Sequence, residues 1–259
     1  MDVDDLVRDA LPLNGQYGGV VAEAYDVWLP PSGNYSDREV YRRAIEAGSG
    51  TALELGCGNG RLLVPYRCSG LEVEGVDASQ AMLDICAAHA RDAGVDLKLH
   101  RSDWTTLALD RKYATIYNPA GSFSLLPGND AAHDALAAWL RHLHPDGAIL
   151  IAMGVPTGDL DAHYDWRVRR SGTRARDETT FMVHEAFRYD TTAQVQHVLN
   201  RHEVWNRNGE LVTTLMRRHE IRWWTRDQLE TMLRETGFTA VKSLGTENEF
   251  VTVGRAPAT

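Results

Sequence analysis

The sequence is short of cysteine, of positive charge and of long apolar runs, and each shortage excludes a class of protein. Its three cysteines leave an odd thiol, so they do not form the even framework of a disulfide-stapled domain. Lys and Arg number 27 against 36 Asp and Glu, a net charge of −9, which argues against a general nucleic-acid binder. The longest apolar stretch, near residues 148–155, is too short to cross a bilayer.

The beginning of the chain also lacks the basic and apolar segments of a secretory signal. Together these absences lead us to expect a cytoplasmic protein with no nucleic-acid partner and no membrane segment. What the sequence does contain is an ordinary globular composition, with 43% apolar and 24% charged residues over 259 positions. One large α/β domain with an insertion fits this length as well as two small domains do.

Helical and strand-like segments alternate through the first 156 residues. Ser36 and Glu39 match a capping box that would begin a helix ending near Ala47, and Ser79 would cap another that ends near Ala93. Such alternation predicts a parallel sheet with right-handed crossovers. The predicted strands are residues 51–55, 71–76, 96–100, 113–118 and 148–153, and the other predicted helices begin near Gly60 and span residues 129–144.

The pattern changes after Pro156. Residues 157–178 are predicted as a charged loop, followed by an antiparallel meander in which Asn208-Gly209 marks a hairpin. The predicted fold is a Rossmann-like, seven-stranded, mostly parallel doubly wound α/β sheet with an antiparallel β insertion. The domains would be a core at 36–156, an insertion at 157–224 with strands at 179–189, 194–206 and 210–224, and a completion of the core at 225–259. The completion would hold a capping box from Thr225 to Gln228 and an edge hairpin of residues 238–244 and 250–254.

Glycines and acids follow successive strands at one predicted edge of the sheet. The turn Gly56-Cys-Gly58-Asn-Gly60 lets a ligand approach the backbone closely. Asp77 ends the second strand, where an acid can accept both hydroxyls of a ribose, and Asp103 after the third strand can accept a hydrogen bond from an adenine amino group. A nicotinamide dinucleotide site is disfavoured because it needs G-x-G-x-x-G, whereas this turn is G-x-G-x-G. The apolar walls around the base would come from Ala78, Met82 and Trp104.

These motifs resemble those of class I S-adenosylmethionine-dependent methyltransferases. The resemblance is carried by residues 54–60, 75–79, 102–103 and 143–147, and residues 118–123 resemble the glycine and amino-sugar N-methyltransferase branch. It implies S-adenosylmethionine as cofactor and S-adenosylhomocysteine as product. It also implies that Glu54, Gly56 and Gly58 cradle the methionine moiety, that Asp77 binds the ribose, that Asp103 and Trp104 bind the adenine, and that Asn118 contributes near the sulfonium.

The same resemblance extends to an N-terminal segment, residues 1–35, which contains a counterpart of the lid helix of this branch. Tyr25 would contact the sulfonium or the carboxylate of the donor, and Tyr17 would close over the acceptor; the alternative is that both tyrosines only pack the N-terminal helix. On the meander, His184 is the candidate general base, against the alternative of an ordinary strand residue. The histidines show no short metal-ligand spacing, so no metal site is predicted.

Arginines are concentrated in residues 165–176 although the chain is acidic overall. Either this run is a solvated surface, or Arg169 and Arg174 hold an anionic acceptor. The adjacent rings of Trp223 and Trp224 are core residues, or one of them forms a wall of the acceptor pocket.

The sequence therefore predicts an enzyme that transfers a methyl group from S-adenosylmethionine to a nitrogen or oxygen of a small molecule. Nitrogen is preferred on the resemblance, and positioning of the acceptor would supply most of the rate. Two alternatives stay open: a catalytically silent S-adenosylmethionine-binding regulatory protein, and a methyltransferase of RNA or protein. The meander would either cover the acceptor site or pair two subunits as a homodimer.

Overall fold

The computed structural model describes residues 17–158, 160 and 165–258, which form two compact units. Of the described residues, the core unit comprises 31–157 and 223–258, and the meander unit comprises 17–30, 158, 160 and 165–222. Residues 17–30 therefore belong with the meander, and the part of the predicted lid segment before Tyr17 lies outside the described residues. No helix in the described ranges is long and apolar enough to cross a membrane.

The core unit is built on a seven-stranded sheet. Its strands are β1 Ala52–Leu55, β2 Val73–Asp77, β3 Lys98–Arg101, β4 Tyr113–Asn118, β5 Leu143–Gly154, β10 Thr239–Gly245 and β11 Glu249–Arg255. They lie in the order β10-β11-β5-β4-β1-β2-β3. Strands β1 to β5 pair in parallel, whereas β11 runs antiparallel to β5 and β10 antiparallel to β11. This confirms the predicted mostly parallel sheet with an edge hairpin.

Helices pack on this sheet where the sequence predicts them, but two of their beginnings differ from the prediction. The first begins at Arg38 and its N-cap is Asp37, so the capping box predicted from Ser36 is wrong: Asp37 already has helical backbone angles, and Glu39 binds arginines of its own helix instead. The helix after the glycine turn begins only at Leu63, not near Gly60. The helices are α2 Arg38–Ala47, α3 Leu63–Cys68, α4 Gln80–Asp92, α5 Asn129–Arg141 and α6 Arg226–Thr236.

Two other predicted caps are confirmed. The Ser79 hydroxyl accepts a hydrogen bond from the Met82 N–H and fixes the start of α4. Thr225 and Gln228 form a complete capping box at α6, which ends at the left-handed Gly237. Trp223 and Trp224 immediately before α6 are both buried, and the Trp224 indole donates to Asn129 Oδ1 at 2.8 Å, as expected of core residues.

The meander unit is a four-stranded antiparallel sheet whose strands lie side by side in chain order, with one helix packed on it. The prediction of a loop throughout residues 157–178 is wrong, because Arg167–Arg174 form the edge strand β6. The sequence did not indicate this strand, because its arginines and glycine do not alternate with apolar residues as the residues of a packed strand do. The remaining elements are α1 Val20–Trp28, β7 Thr179–Asp190, β8 Val195–Trp205 and β9 Leu211–Arg222.

One face of the meander sheet, the helix-bearing face, packs against α1. There Ala24 of α1 meets Phe181 and Val204 in a small apolar cluster. Because successive side chains of a strand point to opposite faces, the register assigns further polar positions to each side. The helix-bearing face also carries Glu185, Asn200, His202, Arg217 and His219, whereas the opposite face carries His184, Arg201, Glu203 and Arg218.

The hydroxyl of Thr225 caps α6, whereas that of Ser36 caps no helix, so removing each should change the stability of the protein differently. We expect Thr225→Ala to lower the free energy of unfolding by about 1 kcal/mol, because it removes the acceptor for the Gln228 N–H. Ser36→Ala is the matched control and should change it by less than about 0.5 kcal/mol, since Ser36 is exposed and caps no helix. Urea unfolding of the three proteins measures both effects, and equal losses in the two variants would contradict the assignment.

Candidate functional site

The turn that follows β1 is tied to the neighbouring strand by its backbone. The N–H groups of Gly56 and Cys57 donate to the carbonyl of Val76 at 2.8 and 3.0 Å. Gly56 and Gly58 both have positive φ angles, +73° and +54°, which glycine adopts at little cost. The turn therefore presents its backbone at the carboxyl end of the sheet in a conformation that other residues would strain.

Side chains are also excluded from this turn by close neighbours. A Cβ atom at Gly56 would lie 2.8 Å from Cζ2 of Trp104, and one at Gly60 would lie 2.7 Å from Sγ of Cys86. Trp104 thus packs directly on the turn, and its ring also meets that of Trp139 at nearly right angles, with ring centroids 6.3 Å apart. The glycines are required both by backbone conformation and by this packing.

Asp77 at the tip of β2 connects the turn to the following helix. Its Oδ2 accepts from the Gly58 N–H at 2.9 Å, and its Oδ1 accepts from the Ser79 N–H at 2.8 Å. Burial raises the pKa of Asp77, and these backbone N–H groups act in the opposite direction. Each carboxylate oxygen has a second lone pair, so the group can still accept hydrogen bonds from a ligand.

Asp103 lies on the same edge of the sheet. Asp77 is the parallel partner of Arg101, so the two acids follow neighbouring strands as predicted. Oδ1 of the exposed Asp103 accepts from both the N–H and the hydroxyl of Thr105. Of the three predicted apolar neighbours, Trp104 packs on the glycine turn, Ala78 is partly exposed at this edge, and Met82 is buried in the first turn of α4.

Two buried polar atoms beside the glycine turn make no hydrogen bond within the described part of the chain. Asn118, fully buried at the end of β4, donates from Nδ2 to the Leu55 carbonyl at 2.9 Å, but its Oδ1 accepts none. Nε1 of Trp104 likewise donates to nothing. Because buried polar groups are normally satisfied, these atoms fit a ligand that supplies a donor and an acceptor next to the turn. S-adenosylmethionine, with its ammonium, carboxylate and adenine, is such a ligand.

Glu54 lies inside the core unit and is only 2% exposed. Its Oε2 accepts from the hydroxyl of Tyr117 at 2.9 Å, and burial raises its pKa to about 8, against the opposing effect of that hydrogen bond. The carboxyl group therefore keeps its proton at pH 7. A contact of Glu54 with the methionine moiety stays a prediction.

A glycine turn after β1, an acid at the tip of β2 and an acid after β3 at one edge of a parallel sheet form the arrangement predicted above for a class I S-adenosylmethionine-dependent methyltransferase domain, which uses S-adenosylmethionine as its cofactor. The sequence profile of the family described as "Methyltransferase domain" matches residues 52–147. That segment contains every predicted donor-site residue except Tyr25, from Glu54 to Asn118.

Known proteins are similar beyond this segment. Over 142 residues the chain is 30% identical to the dTDP-3-amino-3,6-dideoxy-alpha-D-glucopyranose N,N-dimethyltransferase of Streptomyces fradiae, covering 52% of this chain and 53% of the relative. The matched chain thus spans about half the length of that relative. The CcbJ methyltransferase of Streptomyces caelestis has the same fold, with a TM-score of 0.71 at 22% identity, over 93% of this chain and 98% of the other. S-adenosylmethionine-bound CalS10 of Micromonospora echinaspora, an amino pentose methyltransferase, gives 0.65 at 18% identity over 93% and 98%.

The candidate catalytic residues all belong to the meander unit, and the structure brings only two of them together. The rings of Tyr17 and Tyr25 meet edge to face at 5.8 Å, and the guanidinium of Arg217 lies 4.7 Å from the Tyr17 ring centroid. His184 is on the opposite face of the sheet, where its Nε2 is 3.4 Å from Oε2 of Glu203. The catalytic roles of these three residues stay predictions.

The two arginines considered as an anion clamp are already engaged. Arg174 donates to Glu23 at 2.6 Å and to both oxygens of Asp177, so its guanidinium has little capacity left for a ligand. Nε of Arg169 is 3.5 Å from Oε1 of Glu185. Among the described residues no group of three His, Cys, Asp or Glu side chains is arranged to hold a metal ion.

Sequence reasoning missed two features of these units. Tyr117 was read only as part of a strand, although its hydroxyl is the partner of Glu54; a polar ring on a buried strand beside a buried acid was the available signal. Arg217 was not singled out. The face of the sheet on which a strand side chain lies depends on the pairing register, and the sequence does not determine that register.

Asp77 gives the most direct test of the donor site. We expect Asp77→Ala to weaken S-adenosylmethionine binding by roughly 1.5–3 kcal/mol, because a charged hydrogen-bonding partner is lost. Titration calorimetry measures the change, and Asp84→Ala, which removes an exposed acid of α4, is the matched control. Thermal unfolding shows whether the variant is still folded, since Asp77 also accepts hydrogen bonds from the backbone N–H groups of Gly58 and Ser79. Wild-type affinity in a folded Asp77→Ala protein would remove Asp77 from the ribose site.

Glu54 predicts a pH dependence of stability. The unfolded chain releases this proton near the ordinary pKa of 4.5, whereas the folded chain keeps it up to about pH 8, so the free energy of unfolding falls as the pH rises between these values. Glu54→Gln retains an acceptor for Tyr117 and removes the titration. We expect the stability of the variant relative to wild type to rise by roughly 1 kcal/mol per pH unit across this range. Denaturant unfolding at several pH values tests this, and a constant difference would contradict the assignment.

Proposed function

We propose that this protein methylates a nitrogen of a small-molecule amino sugar. Binding of the methyl donor is supported by the glycine turn, whose Gly58 N–H donates to Asp77. It is also supported by Oδ1 of Asn118 and Nε1 of Trp104 beside the turn, which make no hydrogen bond within the described residues. The acceptor half is supported by the Streptomyces fradiae relative, whose name specifies N,N-dimethylation of an amino sugar linked to dTDP. The fold shared with CalS10 is compatible with such an acceptor.

S-adenosylmethionine supplies an electrophilic methyl group on a sulfonium when it is bound. Transfer to an amine forms a nitrogen–carbon bond, breaks the sulfur–carbon bond and leaves the amine with a proton to lose. Asp77 and the turn orient the donor, and the buried oxygen of Asn118 is available for its ammonium. Holding two reactants in line is worth several kcal/mol, and up to about 7–11 in ideal cases, so positioning is the main contribution of the protein.

Because the amine must lose a proton, the reaction needs a base that accepts it. We infer that His184 takes it, supported by the carboxylate of Glu203 at 3.4 Å, which stabilises an imidazolium. Tyr25 and Tyr17, whose rings meet at 5.8 Å, lie on the helix-bearing side of the sheet with Arg217. Their contacts to the donor and the acceptor are therefore proposed as an alternative to His184, which lies on the other face, and not together with it. An amine that arrives unprotonated needs this base only to remove the proton after transfer.

Acceptor specificity tests the function. We expect S-adenosylhomocysteine to form with dTDP-linked 3-amino-sugars, and not with the corresponding 3-hydroxy sugars, because the proposed nucleophile is nitrogen. Mass spectrometry of the products distinguishes N-methyl from O-methyl compounds. Exclusive turnover of the hydroxy sugars would overturn the assignment to nitrogen, and binding of S-adenosylmethionine without turnover across amino and hydroxy acceptors would favour the regulatory alternative.

The same assay separates His184 from other meander histidines. His184→Gln should lower kcat by about 10²-fold or more at neutral pH, as expected of a general base. His197→Gln is the matched control, because His197 on β8 lies on the same face of the sheet as His184 and is likewise beside a carboxylate, with Nδ1 3.3 Å from Glu220. Equal kcat values in the two variants would remove His184 from the chemistry.

A further inference from the structure

The helix-bearing face of the meander sheet contains two buried histidines next to an arginine. His202 and His219 are 5% and 8% exposed. Arg217 is the antiparallel partner of Asn200, which precedes His202 by two residues on β8, while His219 follows Arg217 by two residues on β9. All three side chains therefore lie on the same face of neighbouring strands.

This cluster has more hydrogen-bonding groups than partners. Both ring nitrogens of His202, Nδ1 of His219 and Nε of Arg217 are buried and make no hydrogen bond within the described ranges. The indole of Trp28 stacks on His202 with ring centroids 6.4 Å apart, and its Nε1 is also buried and unbonded. Because buried polar groups are costly when unsatisfied, so many on one face indicate a ligand.

The charges of the cluster specify what kind of ligand fits. Burial and the nearby Arg217 lower the pKa of His202 to about 4, and burial, Arg217 and His202 lower that of His219 to about 3. Both imidazoles are neutral at pH 7, so each carries one N–H donor, and Arg217 adds a full positive charge. In the part of the chain that the structure describes, Arg217 has no carboxylate partner; its guanidinium stacks on Tyr17. Glu185, on the same face, is occupied by Asn200 and Arg169.

We propose that Arg217, His202, His219 and Trp28 form a binding site for an oxyanion, a phosphate or carboxylate group of a small molecule. Arg217 supplies the charge, and the imidazole and indole N–H groups supply directed hydrogen bonds, the combination that makes oxyanion recognition strong. Arg217 is partly exposed, and Leu215, the partner of His202 on β9, is 41% exposed, so solutes have access along this strand.

The proposal goes beyond methyl transfer and does not depend on it, because binding is measured without turnover. It also replaces the clamp of Arg169 and Arg174, whose guanidinium groups already face carboxylates. The site lies entirely within the meander unit.

Calorimetry with the full chain tests the site, with inorganic pyrophosphate and succinate as probes at millimolar concentration. We expect at least one probe to bind, and Arg217→Gln to weaken it about tenfold or more, because one charge-assisted contact is lost. Arg218→Gln is the matched control: it removes the same charge one residue further along β9, on the opposite face of the sheet, and should change affinity less than about twofold. The probe that binds identifies phosphate or carboxylate as the preferred class.

A second variant separates hydrogen bonding from charge. Trp28→Phe keeps a ring against His202 but removes the indole N–H, and we expect it to weaken probe binding about tenfold or more, as loss of one hydrogen bond to a charged group does. Circular dichroism melts confirm that each variant is folded. Absence of binding by both probes to the wild-type protein, or equal weakening by Arg217→Gln and Arg218→Gln, would overturn the proposal.

Discussion

The core unit depends on one carboxylate at the tip of a strand. Asp77 accepts from Gly58 in the glycine turn and from Ser79 at the start of α4, so a single side chain fixes the turn between β1 and α3 relative to the strand that follows. Hydrogen bonds from backbone N–H groups offset the cost of burying this acid, whose pKa burial raises. A donor that binds this carboxylate therefore meets a group already held in position, and little conformational freedom is lost on binding.

Some polar atoms near the glycine turn bind each other within the protein, and others are left unbonded and available to a ligand. Glu54 and Tyr117 satisfy each other inside the core, so their hydrogen bond is part of the scaffold. Asn118 uses one end of its amide to hold β4 to β1 and leaves the other end unbonded, while Trp104 packs against Gly56 and leaves its N–H unbonded. A similar pattern recurs in the meander unit, where His202 stacks on Trp28 yet keeps both nitrogens unbonded. In each case packing fixes the ring or amide, and the remaining polar atom is available for a ligand.

Much of the core unit follows from short sequence signals because its elements are local. The glycine turn, the Ser79 cap, the capping box of α6 and the edge hairpin were all predicted within a few residues, since each rests on backbone conformations that only certain residues adopt. The failures were also local. Ser36 matched a capping pattern, but Asp37 continued the helical conformation, and β6 was hidden because an edge strand with alternating arginines has no apolar period.

The sequence by itself determined the class of fold and the residues placed at the tips of its strands, because glycines and acids at strand ends have narrow conformational and chemical roles. Only the tertiary structure decided which side chains face each other. It directed Glu54 to Tyr117, engaged Arg174 with Glu23 and Asp177, and separated His184 from Tyr17 by the thickness of a sheet. The physical reason is the two-residue period of a strand: one step of register moves a side chain to the other face, and that step is set by packing across the whole sheet.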